Sequence, residues 1–182
     1  MARKPRVWFP GAMYHITNRG NRRSSIFLDD EDRTKYLELL EKTRSAHPYI
    51  LHAYCLMTNH THLQIETIET QPKEIMNMLN FRYAIYFNKR HELEGHVFQG
   101  RYGSVMIDSR EYFLEVSRYI HLNPVQAELV KHPADYPWSS YVVYESGPIN
   151  SLVSTEKIFS CFDSPKLYRN YVLNQFPDVL VR

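Results

Sequence analysis

The chain has 182 residues, 43% hydrophobic and 23% charged, which is the balance of a globular protein of one domain or a domain with a small appendage. No apolar run reaches the roughly 18 residues of a membrane-spanning helix, and no apolar segment follows the charged start Met1–Arg6, so neither a membrane protein nor a secretory signal is expected. Cys55 and Cys161 are too few for a disulfide framework or a four-cysteine zinc site and point to a reducing cytoplasm, while a net charge of +2 conceals a basic start.

Ala12–Asn18 alternates loosely and runs into the turn Arg19-Gly20-Asn21, the pattern of a strand and its exit. Asp29-Asp30-Glu31 opens a helix to about His47, with Tyr36, Leu37 and Leu40 on one face and Pro48 as its stop. Tyr49–Met57 and His60–Thr67 are β-rich runs joined at Thr58-Asn59, which reads as a hairpin. A second helix starts at Gln71-Pro72 and carries Ile75, Met76, Leu79, Tyr83, Tyr86 and Phe87 at helical spacing to about His91. After a loop over 95–103, Ser104–Ile107 is a short strand. Asp108 or Ser109 then caps a third helix, expected to end near Asn123 because Pro124 disfavours helix in the residue before it. A short helical piece is expected over Val125–Lys131. Beyond Glu145 the pattern weakens, with one or two helices in Thr155–Phe162 and Lys166–Leu173. The order predicts an α+β fold: a ferredoxin-like antiparallel sheet with helices packed on one face, plus a mostly helical C-terminal extension. The division is residues 1–144 as one domain and 145–182 as the extension.

Residues 1–23 carry Arg3, Lys4, Arg6, Arg19, Arg22 and Arg23 without an acid, and a second basic set is Arg82, Lys89, Arg90, Arg101 and Arg110. Beside 14 tyrosines, 9 phenylalanines and 2 tryptophans, this concentration suits a phosphate backbone with bases stacked on rings; a solvated arm explains the charge equally well. The most informative segment is Asn59-His60-Thr61-His62-Leu63. Residues two apart on a strand share a face, so His60 and His62 project together, away from Thr61, Leu63 and Ile65, and can take one divalent cation. Taken alone, a His-x-His pair is more often an ordinary hydrogen-bonded pair. On the third helix, Tyr119 and Asn123 stand one turn apart on one face and His121 on the opposite side. An amide oxygen can be a third ligand, and a phenol one turn away would sit beside the cation. Taken singly, Tyr119 reads as a core aromatic and Asn123 as a helix end.

Together these residues resemble the single-tyrosine HUH transposases, most closely their REP-associated tyrosine transposase branch. The likeness runs in order through Phe9–Arg23, Met57–Leu63, Phe98–Tyr102, Tyr119–Val125 and Tyr136–Tyr141, about three quarters of the chain. It implies that His60, His62 and Asn123 hold Mg²⁺ or Mn²⁺, and that Tyr119 attacks single-stranded DNA to leave a 5′-phosphotyrosine and a free 3′-hydroxyl. Hairpin-forming palindromes are the implied substrate, and Arg19, Arg22, Arg23, Arg82 and Arg101 are the candidate DNA contacts. A homodimer with shared sites and a monomer with its own both stay open. Thr61 departs from the family's bulky apolar residue, a matter of packing since it faces away from the metal. The site also lacks a carboxylate, so metal affinity should be modest, with the scissile phosphate completing the shell. Glu66, on the same strand face, is a weak candidate for added charge.

His15 and His52 lie on expected strands from which they could approach the site, though a structural role is favoured for both and expected for His121; Cys55 and Trp138 are expected to pack in the core, and Arg101, next to Gly100, to reach a phosphate or a salt bridge. The rival readings are a cleavage-inactive binding protein for structured or repetitive DNA and, behind it, an unrelated metallohydrolase using the histidine pair.

Overall fold

A computed structural model describes residues 7–147 and 152–173. Arg3, Lys4 and Arg6 of the basic start lie outside the described residues. Four strands, β1 (Met13–Arg19), β2 (Tyr49–Met57), β3 (His60–Thr67) and β4 (Gly103–Ile107), form one antiparallel sheet in the order β2-β3-β1-β4. With α1 (Asp30–Ala46) and α2 (Pro72–His91) as crossovers, this is the expected ferredoxin-like α+β arrangement. Asp29 caps α1 by accepting from the Asp32 amide at 3.1 Å, and its acidic first turn complements the helix dipole. Pro72 starts α2 in the position where a missing N–H costs nothing.

Strand alternation sorts the two sheet faces. Ile16, Asn18, Thr61 and Leu63 meet α1 and α2, where Asn18 exchanges a pair of amide hydrogen bonds with Asn80 at 2.9 and 3.0 Å and lies against Tyr36. His15, Thr17, His62 and Gln64 take the other face. That second face is covered too. The third helix, α3 (Arg110–Gln126), crosses it, with the Gln64 amide donating to Phe113 O at 2.8 Å and the His52 ring against Phe113. Helices therefore lie on both faces rather than one, because α3 has a buried stripe of its own (Phe113, Leu114, Val116, Ile120) that the ferredoxin-like layer cannot accept.

Ser109, not Asp108, caps α3, accepting from Tyr112 N at 3.1 Å. The helix also runs three residues past Asn123. Pro124 forfeits one intrahelical bond, yet it is buried, and Ala127 N and Leu129 N still reach the carbonyls of Asn123 and Pro124. The expected helical piece after it is only this end and a turn, with Glu128 in the left-handed region.

The C-terminal elements α4 (Tyr141–Ser146), α5 (Glu156–Phe159) and α6 (Pro165–Val172) join the same core through Tyr144, Leu152, Val153, Ile158, Tyr168 and Val172. The segments leading into α4 and α5 shield the outer edge of β2: Leu56 N donates to Trp138 O, Ser140 N to Tyr54 O and Ser154 N to Leu51 O. No described helix is long and apolar enough to cross a membrane. Ten of the 14 tyrosines are buried in the core, which accounts for most of the aromatic content without any base stacking. Cys55 is buried as expected.

Candidate active site

The two-residue periodicity of β3 delivers His60 and His62 to the α3 face, with ring centroids 4.9 Å apart. In register, Arg19 of β1 lies opposite His60 and Thr17 opposite His62. From α3, Tyr119 sets its ring edge-on to His62 at 5.3 Å, within the same chain. One turn on, the buried Asn123 side chain lies close enough to His60 to bear on its titration. All four residues singled out in the sequence therefore converge at one place. Tyr119 is 42% exposed, more than any other tyrosine of the chain. It is not the core aromatic its apolar neighbours Val116 and Ile120 suggest.

His15 also belongs here, although the sequence favours a structural role for it. Its Nε2 lies 3.0 Å from His62 Nδ1, the two rings stack at 5.2 Å, and Tyr119 stands edge-on to His15 at 5.8 Å. Strand alternation puts His15 on the right face. Only the β1–β3 register, which the sequence does not display, makes it a diagonal neighbour of His62. Another unanticipated contact is Asn59, whose Oδ1 is 2.7 Å from His60 Nδ1 and whose Nδ2 donates to Arg23 O at 3.3 Å.

The electrostatics keep this cluster neutral at physiological pH. Burial, and then repulsion from His15 and His60, hold the His62 pKa down at about 3; burial alone puts His15 at about 4. His60 is lowered as well, chiefly by burial and further by the Arg19 charge, against the opposing influence of the Asn123 amide, which favours the protonated ring. Neutral imidazoles offer lone pairs. His62 Nε2 is buried without a hydrogen-bond partner, the state of a nitrogen that awaits a ligand. Among the described residues no three His, Cys, Asp or Glu side chains are arranged to hold a metal, so any third protein donor would be of another type, and the Asn123 amide is the candidate beside His60. Two imidazoles and an amide suit a divalent cation that completes its shell with water or phosphate oxygens. Glu66 does not contribute: His52 Nε2 at 3.0 Å and Lys157 engage its carboxylate.

Arg19, Arg22 and Arg23 are exposed beside His60, in a turn where both Arg22 and Arg23 adopt positive φ (53° and 62°). Hydrogen bonds from Asn21 N to Val97 O and from Gln99 N to Arg19 O join this turn to the 97–99 segment. Arg101, also exposed, lines a groove of about 630 Å³ between that segment and α2, with Asn77, Phe81 and Phe98, and Arg82 is exposed on α2 nearby. Arg90, by contrast, is withdrawn from the second basic set. It pairs with Asp29, Glu31 and Asp32 at 2.7, 2.9 and 2.6 Å. His121 is structural as expected, its Nδ1 2.7 Å from Tyr168 Oη and its Nε2 2.9 Å from Ser140 Oγ. His52 is likewise held in place, by Glu66.

A family model described as "Transposase IS200 like" matches residues 9–123. Among solved structures, that of a REP-associated tyrosine transposase bound to a REP hairpin superposes with a TM-score of 0.68 at 18% identity, covering 85% of this chain and 98% of the other. A candidate transposase from Deinococcus radiodurans R1 aligns at 18% identity over 65% of this chain and 95% of its own, with a TM-score of 0.45, too distant to carry structural weight. No curated protein matches the chain.

Proposed function

The chain belongs to the IS200-like transposase family, and on that premise we propose that it is a metal-dependent endonuclease and strand transferase that nicks and rejoins single-stranded hairpin DNA through a 5′-phosphotyrosine. The observation that carries this reading is the exposed Tyr119 ring seated against the buried His62, whose Nε2 has no partner.

A phenol with a reference pKa of about 10 is a poor nucleophile at neutral pH, so its reaction depends on its setting. His60, His62 and Asn123 would hold the cation, and when bound it supplies Lewis-acid polarisation of a phosphoryl oxygen. The chain does the rest. Tyr119 Oη attacks phosphorus; the Oη–P bond forms as the P–O3′ bond breaks, and the phenolic proton is balanced by the one the leaving 3′-hydroxyl acquires. Attack by a 3′-hydroxyl on the phosphotyrosine reverses the step, so rejoining needs no external energy. Arg19, Arg22, Arg23, Arg82 and Arg101 contact the backbone of the DNA, a role supported by their exposure around the same end of the sheet. The hairpin bound by the similarly folded REP-associated transposase supports structured DNA as the substrate class. Because Tyr119 meets the histidines of its own chain, a site completed within one protomer is the arrangement favoured here.

The test is incubation with a labelled hairpin oligonucleotide and MgCl₂, read as a covalent adduct on a denaturing gel. The wild type should give the adduct and Tyr119→Phe should not; an adduct formed equally by the variant refutes the assignment. Hairpin binding that is insensitive to chelator, with no nicking at any metal concentration, identifies a DNA-binding protein without cleavage activity.

A further inference from the structure

We propose that His15 and Asn59 are positioning residues that fix the tautomers of His62 and His60, so that both present Nε2 to the cation. The proposal rests on the metal reading above and concerns what lies behind the ligands.

An imidazole that binds a cation through Nε2 must carry its proton on Nδ1, and that proton needs an acceptor inside the protein. His62 Nδ1 has one candidate, His15 Nε2 at 3.0 Å. For His15 Nε2 to accept, His15 must hold its own proton on Nδ1, so one contact sets both rings. The opposite polarity would place a proton on His62 Nε2 and close that atom to any metal. His60 Nδ1 faces Asn59 Oδ1 at 2.7 Å, and this amide has little freedom to turn over because its Nδ2 donates to Arg23 O. The two acceptors come from separate elements, β1 and the β2–β3 turn. The nitrogen this scheme leaves available on His62 is the one found buried without a partner.

Nitrogen-15 correlation spectra of the metal-free, full-length chain near neutral pH read the tautomers directly, and a MnCl₂ titration followed by electron paramagnetic resonance reads the affinity. The wild type should show His62 protonated on Nδ1. His15→Phe should weaken Mn²⁺ binding about 10- to 100-fold, and His15→Gln, whose amide oxygen can accept the same proton, should recover most of the loss. Asn59→Leu should weaken binding through His60 in the same way. Thermal melts of each variant separate loss of affinity from loss of fold. His62 found protonated on Nε2, or His15→Phe binding Mn²⁺ as tightly as the wild type, overturns the proposal. Absence of any Mn²⁺ affinity that His62→Ala removes is a different failure: it overturns the cation reading itself and the positioning role with it.

Discussion

His121→Gln tests how α3 is held in place. His121 is fully buried, and both ring nitrogens are engaged, by Tyr168 on α6 and by Ser140; Tyr168 Oη also meets Ser117 Oγ at 2.6 Å. Burial pushes its pKa down from 6.5 to about 3. Below pH 6.5 the unfolded chain takes up a proton that the folded chain refuses. The His121 contribution is therefore complete above that value and is lost as pH falls toward 3. One pH unit below the unfolded pKa, the loss is about 1.4 kcal/mol, a sizeable part of the roughly 5–15 kcal/mol that holds a domain together. Urea unfolding near pH 7.5 and near pH 5.5 measures it. His121→Gln should be less stable at both, because hydrogen bonds are removed, but its decline between the two should be smaller than the wild type's by about 1.4 kcal/mol. The other buried histidines titrate alike in both proteins and cancel. Equal declines in wild type and variant would mean that folded His121 takes up its proton as readily as the unfolded chain does, and the account of the α3–α6 contact would be wrong.

Gly20→Ala should cost about 1–3 kcal/mol, seen as a lower melting temperature, because its methyl would run into the Ser24 carbonyl oxygen; an unchanged melt refutes that close approach. Asp32→Ala leaves Arg90, His91 and the Leu28 amide without their common acceptor. With Arg90 partly exposed, the cost should fall at about 2–3 kcal/mol, below that of a wholly buried pair, and a denaturation midpoint equal to the wild type's would contradict it. Replacing Arg22, Arg23, Arg82 or Arg101 singly by alanine should reduce the salt dependence of hairpin binding by about 0.7 in log–log slope for each phosphate that is no longer neutralised; any variant with an unaltered slope removes that arginine from the interface.

The parts of the candidate site were legible because their spacing is local. His60 and His62 share a strand face by parity, and Tyr119 and Asn123 share a helix face by pitch, so the sequence contains each pair without knowledge of the fold, while the joining of the two pairs rested on the resemblance to the HUH transposases. His15 was less so, because its partnership with His62 depends on a register between strands 47 residues apart. The same limit explains α3: periodicity reveals an apolar stripe but not the layer that receives it. Charge counting could not see Arg90 drawn into Asp29, Glu31 and Asp32 across about sixty residues. Proline's local preference misjudged the end of α3, where burial of Pro124 outweighed one absent hydrogen bond.

The cover over the β2 edge has a consequence for how the chain can be cut. A fragment ending after Tyr144 would lack Ser154, and with it the donor to Leu51, while stripping Leu152, Ile158 and Tyr168 from the core. It would bare the Leu51 end of the β-ribbon margin, with Trp138 and Ser140 still on the rest, beside newly wetted oily surface, the combination that seeds intermolecular stacking. Insolubility on truncation would then speak of exposed adhesive flanks and say nothing about whether the candidate site had survived.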